Sequence, residues 1–208
     1  MHRSISIAVS RLGRDTTAFI AGAAVLAVGL LVYSGIMISQ RPPVDPAAYA
    51  PLLNLIGRAE SNDNYNAYFG SPANTTTDFT AMPIRDVLAW QAEYVRQGSP
   101  SSAVGRYQII NTTLEGLVRE LKLDPNEKFD QSMQDRLAVA LLERRGASAY
   151  LNDEISREEF AANLAKEWAA LPKVLGDNAE DSYYASDGLN RSRVKVGEVL
   201  AVIQRING

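Results

Sequence analysis

The chain has 208 residues, 46% of them hydrophobic, a formal net charge of −3, no cysteine and a single histidine, His2. This excludes disulfides, thiolate metal sites and cysteine nucleophiles, and beyond His2 it excludes Ser/His/Asp triads, histidine zinc sites and imidazole bases. Past residue 40, 18 Lys and Arg stand against 23 Asp and Glu with no basic cluster, so no nucleic-acid partner is expected and catalysis has to rest on carboxylates, Tyr, Lys, Ser or Thr.

Residues 1–15 carry Arg3, Arg11 and Arg14, and the 24 residues from Thr16 to Ser39 carry no charge. As a helix that stretch spans about 36 Å, enough for a bilayer core of about 30 Å, so residues 16–39 are predicted to be a transmembrane signal-anchor helix in contact with the lipid bilayer. The arginines before the span predict residues 1–15 in the cytoplasm, an inner-membrane location and a body in the periplasm. A Pro-rich tether follows over residues 40–50, with Pro42, Pro43 and Pro46 ahead of Pro51, and the domain occupies 51–208.

In that domain Leu52, Leu55, Ile56 and Ala59 recur at helical spacing and stop beside Glu60, where Asn62, Asp63 and Asn64 break the helix. An ordinary glutamate, with a pKa of about 4.3, is almost wholly ionised at pH 7, but each unit by which burial raises the value multiplies the protonated fraction roughly tenfold. A carboxyl wrapped by apolar side chains on one side and open on the other therefore has the setting of a general acid. The loop from Ser61 to Pro83 holds Tyr65, Tyr68, Phe69 and Phe79 among amides and hydroxyls, a mixture suited to stacking and hydrogen-bonding sugars, and equally that of an ordinary β-rich loop. Thr75–Thr77, Phe79 and Thr80 predict a short strand or hairpin.

Pro83 opens a helix with Ile84, Val87, Leu88, Gln91, Tyr94 and Val95 on one face, Gln91 being a buried amide or a residue that reaches a cleft. After the turn Ser99–Gly105 and the segment Arg106–Gln108, Thr112 or Thr113 is predicted to cap the next helix, which faces Leu114, Leu117, Val118 and Leu121 inward. Two more helices are predicted over Ser132–Arg145 and Ser156–Leu171, the second opened by a Ser156/Glu159 capping box and ended by Pro172. A polar loop over Gly176–Ser192 leads to an amphipathic helix over Val194–Ile206. The predicted fold class is α+β, mostly helical, with a small antiparallel sheet beside a cleft, preceded by one transmembrane helix.

Four segments carry a family resemblance: AESNDNYNAYFG around Glu60, SAVGRYQII with Gly105, Arg106, Tyr107 and Gln108, MQDRLA around Gln134 and Asp135, and EWAALP around Trp168 and Pro172. Together they resemble the phage lambda endolysin family of lytic transglycosylases, within the lysozyme-like superfamily, over most of residues 51–206. Glu60 followed by Ser61 with a downstream Gly-x-x-Gln is also similar to soluble lytic transglycosylases.

The resemblance implies cleavage of the MurNAc–GlcNAc β-1,4 bond of peptidoglycan to 1,6-anhydro ends, without cofactor or metal, with Glu60 as general acid and then base. Ser61, Tyr65, Tyr107 and Gln108 fall on implied substrate-binding positions, the last two placing the sugar and supporting developing charge. A hydrolytic muramidase generally needs a second carboxylate about 5–9 Å away, and Asp63 and Asp78 are the candidates, Asp78 the stronger. A further alternative is a non-catalytic, membrane-anchored peptidoglycan-binding component of an envelope-crossing machine. The anchor and tether lie outside the resemblance, and the Thr-rich loop departs from it.

Overall fold

Burial follows the helical spacing of the first apolar run. Leu52, Leu55, Ile56 and Ala59 are all inside on α1 (Ala50–Ser61), which carries Pro51 in its first turn, where the missing N–H costs nothing. The computed structural model describes residues 46–206, with a short 3-10 turn over Pro46–Tyr49 leading into α1. Asn62 ends the helix in the left-handed conformation, φ +55°, its N–H donating to Arg58 O, and Asp63 N–H closes the end on Gly57 O. Asn accepts this backbone conformation more readily than most side chains, so the polar run after Glu60 is the helix stop.

The remaining helices are α2 (Ile84–Arg96), α3 (Asn111–Glu120), α4 (Gln131–Arg144), α5 (Ala147–Leu151), α6 (Arg157–Ala165) and α7 (Val196–Gln204). α1 packs on α4 and α7, α6 lies between α5 and α7, and α2 pairs with α3. The core between them is made by Tyr49, Leu52, Ile56, Phe79, Ile84, Leu114, Phe129, Leu137, Phe160, Leu164 and Trp168. Burying side chains of this kind stabilises by about 1.5–3 kcal/mol each before entropy is counted.

Local chemistry sets the ends. The capping box forms as its spacing predicts: Ser156 Oγ accepts from Glu159 N–H at 3.1 Å, and Glu159 Oε2 accepts from Ser156 N–H at 2.8 Å. α4 begins one residue before the predicted Ser132, because Asp130 supplies the cap by accepting from Met133 N–H at 2.9 Å. α3 begins at Asn111, so Thr112 and Thr113 lie inside it rather than capping it. α5 is a short extra helix that the apolar spacing does not reveal, started by Gly146 at φ +99°. α6 ends at Ala165, short of the predicted Leu171, and the chain turns so that Trp168, Ala170 and Leu171 all pack inward.

The predicted sheet is corrected. Among the described residues there are no strands, only isolated bridges such as Val104–Ile109 and Tyr68–Val104, so the fold is helical rather than α+β. In the threonine-rich segment the backbone donors go to side-chain amides instead of a ladder. Asn74 Oδ1 accepts from Thr76 N–H and Thr77 N–H, both at 3.1 Å, its Nδ2 donates to Asn66 O and Thr77 O, and Asn66 Oδ1 accepts from Thr80 N–H. A buried Asn with every polar atom engaged substitutes for a strand partner.

The transmembrane helix and the inner-membrane location are corrected as well. No helix among the described residues is long and apolar enough to cross a membrane, and the expected span at residues 16–39 lies outside them, as does the tether up to Asp45.

Candidate active site

Glu60 sits in the last turn of α1, next to Ala59 on the buried face, so its side chain leaves the helix at the border of core and surface. Ala170, brought over by the early end of α6, donates its backbone N–H to Glu60 Oε1 at 2.9 Å. The residue keeps part of its surface open to a groove, while protein surrounds the carboxyl elsewhere. Burial pushes its pKa up to about 7, against the Ala170 N–H and the positive charge of Arg193, which both pull it down. A substantial part of this carboxyl is therefore protonated near neutral pH, where an ordinary glutamate is almost wholly ionised, which suits a group that has to give up a proton and then take one back.

Two cavities meet at Glu60. One, of about 270 Å³, is lined by Phe69, Pro100, Ser101, Ala103, Gln108, Glu167, Trp168, Ala169, Asp187, Leu189 and Asn190 together with Glu60. The other, of about 200 Å³, is bounded by Glu60, Ala170 and the loop residues Gly188–Arg191 and Arg193. A third hollow, with Tyr107, Ile110, Arg145, Lys166 and Tyr184, continues from the first, sharing Gln108, Glu167 and Trp168 with it. The three form one polar groove with Glu60 towards one end.

The Gly105–Gln108 segment is a tight loop between Val104 and Ile109, whose backbones bond reciprocally at 3.1 and 2.9 Å. Gly105 is needed at its first position: φ is +78°, and a Cβ there would lie 2.3 Å from Gln134 Oε1. Gln134 Oε1 instead accepts from Arg106 N–H at 2.9 Å, and its Nε2 donates to Tyr65 O and Phe129 O. Gln91 resolves to the structural role: fully buried, its Nε2 donates to Ser102 O and Ile109 O on the two limbs of this loop.

Arg106 turns inward and is 8% exposed. It donates to Asp63 Oδ1 from Nε at 3.1 Å and from Nη2 at 2.7 Å, to Asn54 Oδ1 at 2.7 Å, and to the hydroxyls of Tyr65 and Tyr107 at 3.1 and 2.8 Å. Both phenols donate onward to Asp135 Oδ1, Tyr107 at 2.6 Å and Tyr65 at 2.9 Å. Burial, and after it the bond to Asp135, raises the pKa of both hydroxyls. Gly57 on α1 leaves room for the guanidinium, since a Cβ there would lie 2.4 Å from Arg106 Nε. This network ties the end of α1 to the Gly105–Gln108 loop and to α4.

The predicted site residues thus divide. Gln108, held at φ +48° with its Nε2 on Gly105 O, faces the groove together with Glu60. Tyr107 is 1% exposed and reaches the third hollow, with its hydroxyl already engaged. Ser61 is fully buried, donating to Gly57 O and Arg106 O, and Tyr65 is bound into the Arg106 network. Asp78 is exposed and lines no cavity with Glu60. It caps a 3-10 turn, accepting from Thr80 Oγ1 at 2.6 Å and from Ala81 N–H, and the Thr80 bond leads in holding its pKa below the usual carboxylate value. Asp63, the other candidate, faces Arg106. Of the loop aromatics only Phe69 borders the groove; Tyr68 and Phe79 pack with Trp90 in an edge-to-face cluster against the core.

Residues the sequence did not single out complete the groove: the Ala170 N–H, Glu167, Asp187, Asn190, Arg191 and Arg193. Glu167 receives Arg145 Nε at 2.8 Å, and Asp187 receives Leu189 N–H, Asn190 N–H and Asn190 Nδ2. No group of three or more metal-ligating side chains occurs among the described residues.

The family model for endolysins matches residues 47–194, which hold every element of this groove. The chain belongs to the endolysin family. No curated protein and no solved structure matches it. This endolysin is a peptidoglycan-degrading enzyme of the glycosidase type, and peptidoglycan is its substrate, so the non-catalytic wall-binding alternative falls away.

Proposed function

We propose that this endolysin is a lytic transglycosylase in which Glu60 acts alone as general acid and then general base. The observation that carries this reading is a carboxyl with a pKa near 7 in a groove whose other acids are occupied: Glu167 by Arg145, Asp187 by its own loop, while Asp78 lines a different surface. In the proposed reaction Glu60 donates its proton to the bridging oxygen as the bond from muramic C1 breaks. The muramic 6-hydroxyl oxygen then bonds to C1, its proton passing to the Glu60 carboxylate. One C–O bond forms and one breaks, one proton moves from the 6-hydroxyl through Glu60 to the leaving oxygen, no water is consumed and the enzyme regains its starting protonation.

The Ala170 N–H holds one carboxyl oxygen, leaving the other to the groove, and Gln108 supplies an amide on the facing side. Ser61, Tyr65 and Tyr107 act as positioning residues, joining the end of α1 to the loop that carries Gln108. A hydrolytic muramidase would need Glu167 released from Arg145 to activate water.

The test is digestion of purified cell walls by the unaltered protein and by Glu60→Gln, with mass spectrometry of the soluble products. Anhydro-muramic ends, and a fall in clearing rate of about 10²–10⁴-fold for the variant, are expected. Reducing ends would overturn the transglycosylase chemistry, and clearing at the unaltered rate would overturn the role of Glu60.

A further inference from the structure

We propose that Arg191 and Arg193 form a carboxylate-binding subsite beside Glu60, which makes the enzyme select glycan strands bearing acidic substituents over neutral strands. The inference rests on the reading of the Glu60 groove as the glycan site and adds to it what the strand has to carry.

Both arginines line the cavity of about 200 Å³ that Glu60 and Ala170 close on the other side. Arg193 is pinned there by its backbone: its N–H donates to Ala170 O at 2.8 Å, while the N–H of the same Ala170 donates to Glu60 Oε1 at 2.9 Å. One residue thus couples the catalytic candidate to Arg193, the second of the two arginines. The charge of Arg193 is felt at the Glu60 carboxyl, with which it shares this cavity.

Neither arginine has a carboxylate within ion-pair distance among the described residues. Seven arginines make ion pairs with carboxylates, whereas Arg191 and Arg193, like Arg119, Arg136 and Arg205, pair with none among the described residues, and of these five only Arg191 and Arg193 line the cavity beside Glu60. The loop acid Asp187 accepts from Leu189 N–H, Asn190 N–H and Asn190 Nδ2, which fold the loop after Gly188, and makes no ion pair with either arginine.

A carboxylate matches the planar donor fork of a guanidinium, and two arginines lining one cavity favour such a ligand. A wall glycan brings carboxylates to such a place from two sources, the lactyl group of muramic acid once its peptide is removed, or the peptide while it is attached. Chitooligosaccharide, built of N-acetylglucosamine alone, brings none.

Binding is measured by titration calorimetry in a Glu60→Gln background, which keeps strands intact, with three ligands of equal length: stem-bearing strands, amidase-treated strands with free lactyl carboxylates, and chitooligosaccharide. We expect at least one acidic ligand to bind about tenfold more tightly than chitooligosaccharide, the worth of one charge-assisted hydrogen bond. The preference should weaken as salt is raised, vanish in the Arg191→Gln/Arg193→Gln protein and return in part with lysine at both positions, which keeps charge and loses the fork. Whichever acidic ligand shows the preference identifies the source. A preference that is absent, or that survives the double substitution in a protein of unchanged melting temperature, overturns the proposal. The products released by the unaltered enzyme judge the role of Glu60 separately, so the two readings fail independently.

Discussion

Replacing Glu60 by Gln is expected to stabilise the protein, and to do so only where the carboxyl would be ionised. The amide is isosteric, keeps an oxygen for the Ala170 N–H at 2.9 Å and carries no charge at any pH. In the unfolded chain Glu60 titrates near 4.5, in the folded one near 7, because burial outweighs the Ala170 bond and the Arg193 charge. Below pH 4.5 both states hold the proton and the acid costs nothing. As pH rises the unfolded chain ionises first, so stability is lost until the folded carboxyl also ionises, and above pH 7 the loss is complete. At about 1.4 kcal/mol per pH unit, the gap between 4.5 and about 7 amounts to about 3 kcal/mol.

The difference in unfolding free energy between Glu60→Gln and the unaltered protein should therefore be near zero at pH 4, grow between pH 4.5 and 7, and level off at about 3 kcal/mol by pH 8. For a domain of this size that corresponds to roughly 6–12 °C in melting temperature. Urea melts across the pH series measure it directly, without reference to activity. A difference that does not change with pH would mean that the folded carboxyl titrates like an ordinary one, and the account of Glu60 as an acid that keeps its proton towards neutral pH would fail with it. If the growth is seen, the price of the active site is a fold weakened by the same proton equilibrium that catalysis uses.

Two other substitutions probe the groove's surroundings. Gly105→Ala adds a methyl at φ +78° and 2.3 Å from Gln134 Oε1, so it should destabilise by about 2–4 kcal/mol in urea melts and displace the loop that carries Gln108. Asp78→Asn should leave wall-clearing rates and the anhydro product unchanged in a turbidity and mass-spectrometric assay, because the residue caps an exposed turn away from the groove; a large loss would reinstate it as a second carboxylate.

Local signals in the chain were faithful wherever the responsible interaction is short in sequence. The apolar spacing of Leu52, Leu55, Ile56 and Ala59, the Asn62 stop and the Ser156/Glu159 box lie within one or two helical turns, and all three form as read. The threonine-rich segment misled because β-branched composition reports a preference for extended backbone, whereas its hydrogen bonds are settled by Asn74 and Asn66, whose amides occupy the donors a strand would have needed. The predicted length of α6 overran because apolar spacing continues through Trp168 and Leu171 although the helix does not.

By itself the sequence bounded what chemistry was open to this protein: with no cysteine and no histidine past His2, the reaction was left to carboxylates, Tyr, Lys, Ser or Thr, and the order of Glu60 and the Gly105–Gln108 motif, through the family resemblance, pointed to Glu60 as the candidate. Only the tertiary structure decided what surrounds it. The Ala170 N–H is a backbone group with no letter of its own, and it reaches Glu60 across 110 residues. Arg106, Tyr107 and Tyr65 turned inward to a shared network because Gly57 and Gly105 leave space for it, a fact of three-dimensional clearance that residue spacing does not encode. That Arg191 and Arg193 share a cavity with Glu60 likewise became visible only in the fold, since about 130 residues of chain separate them.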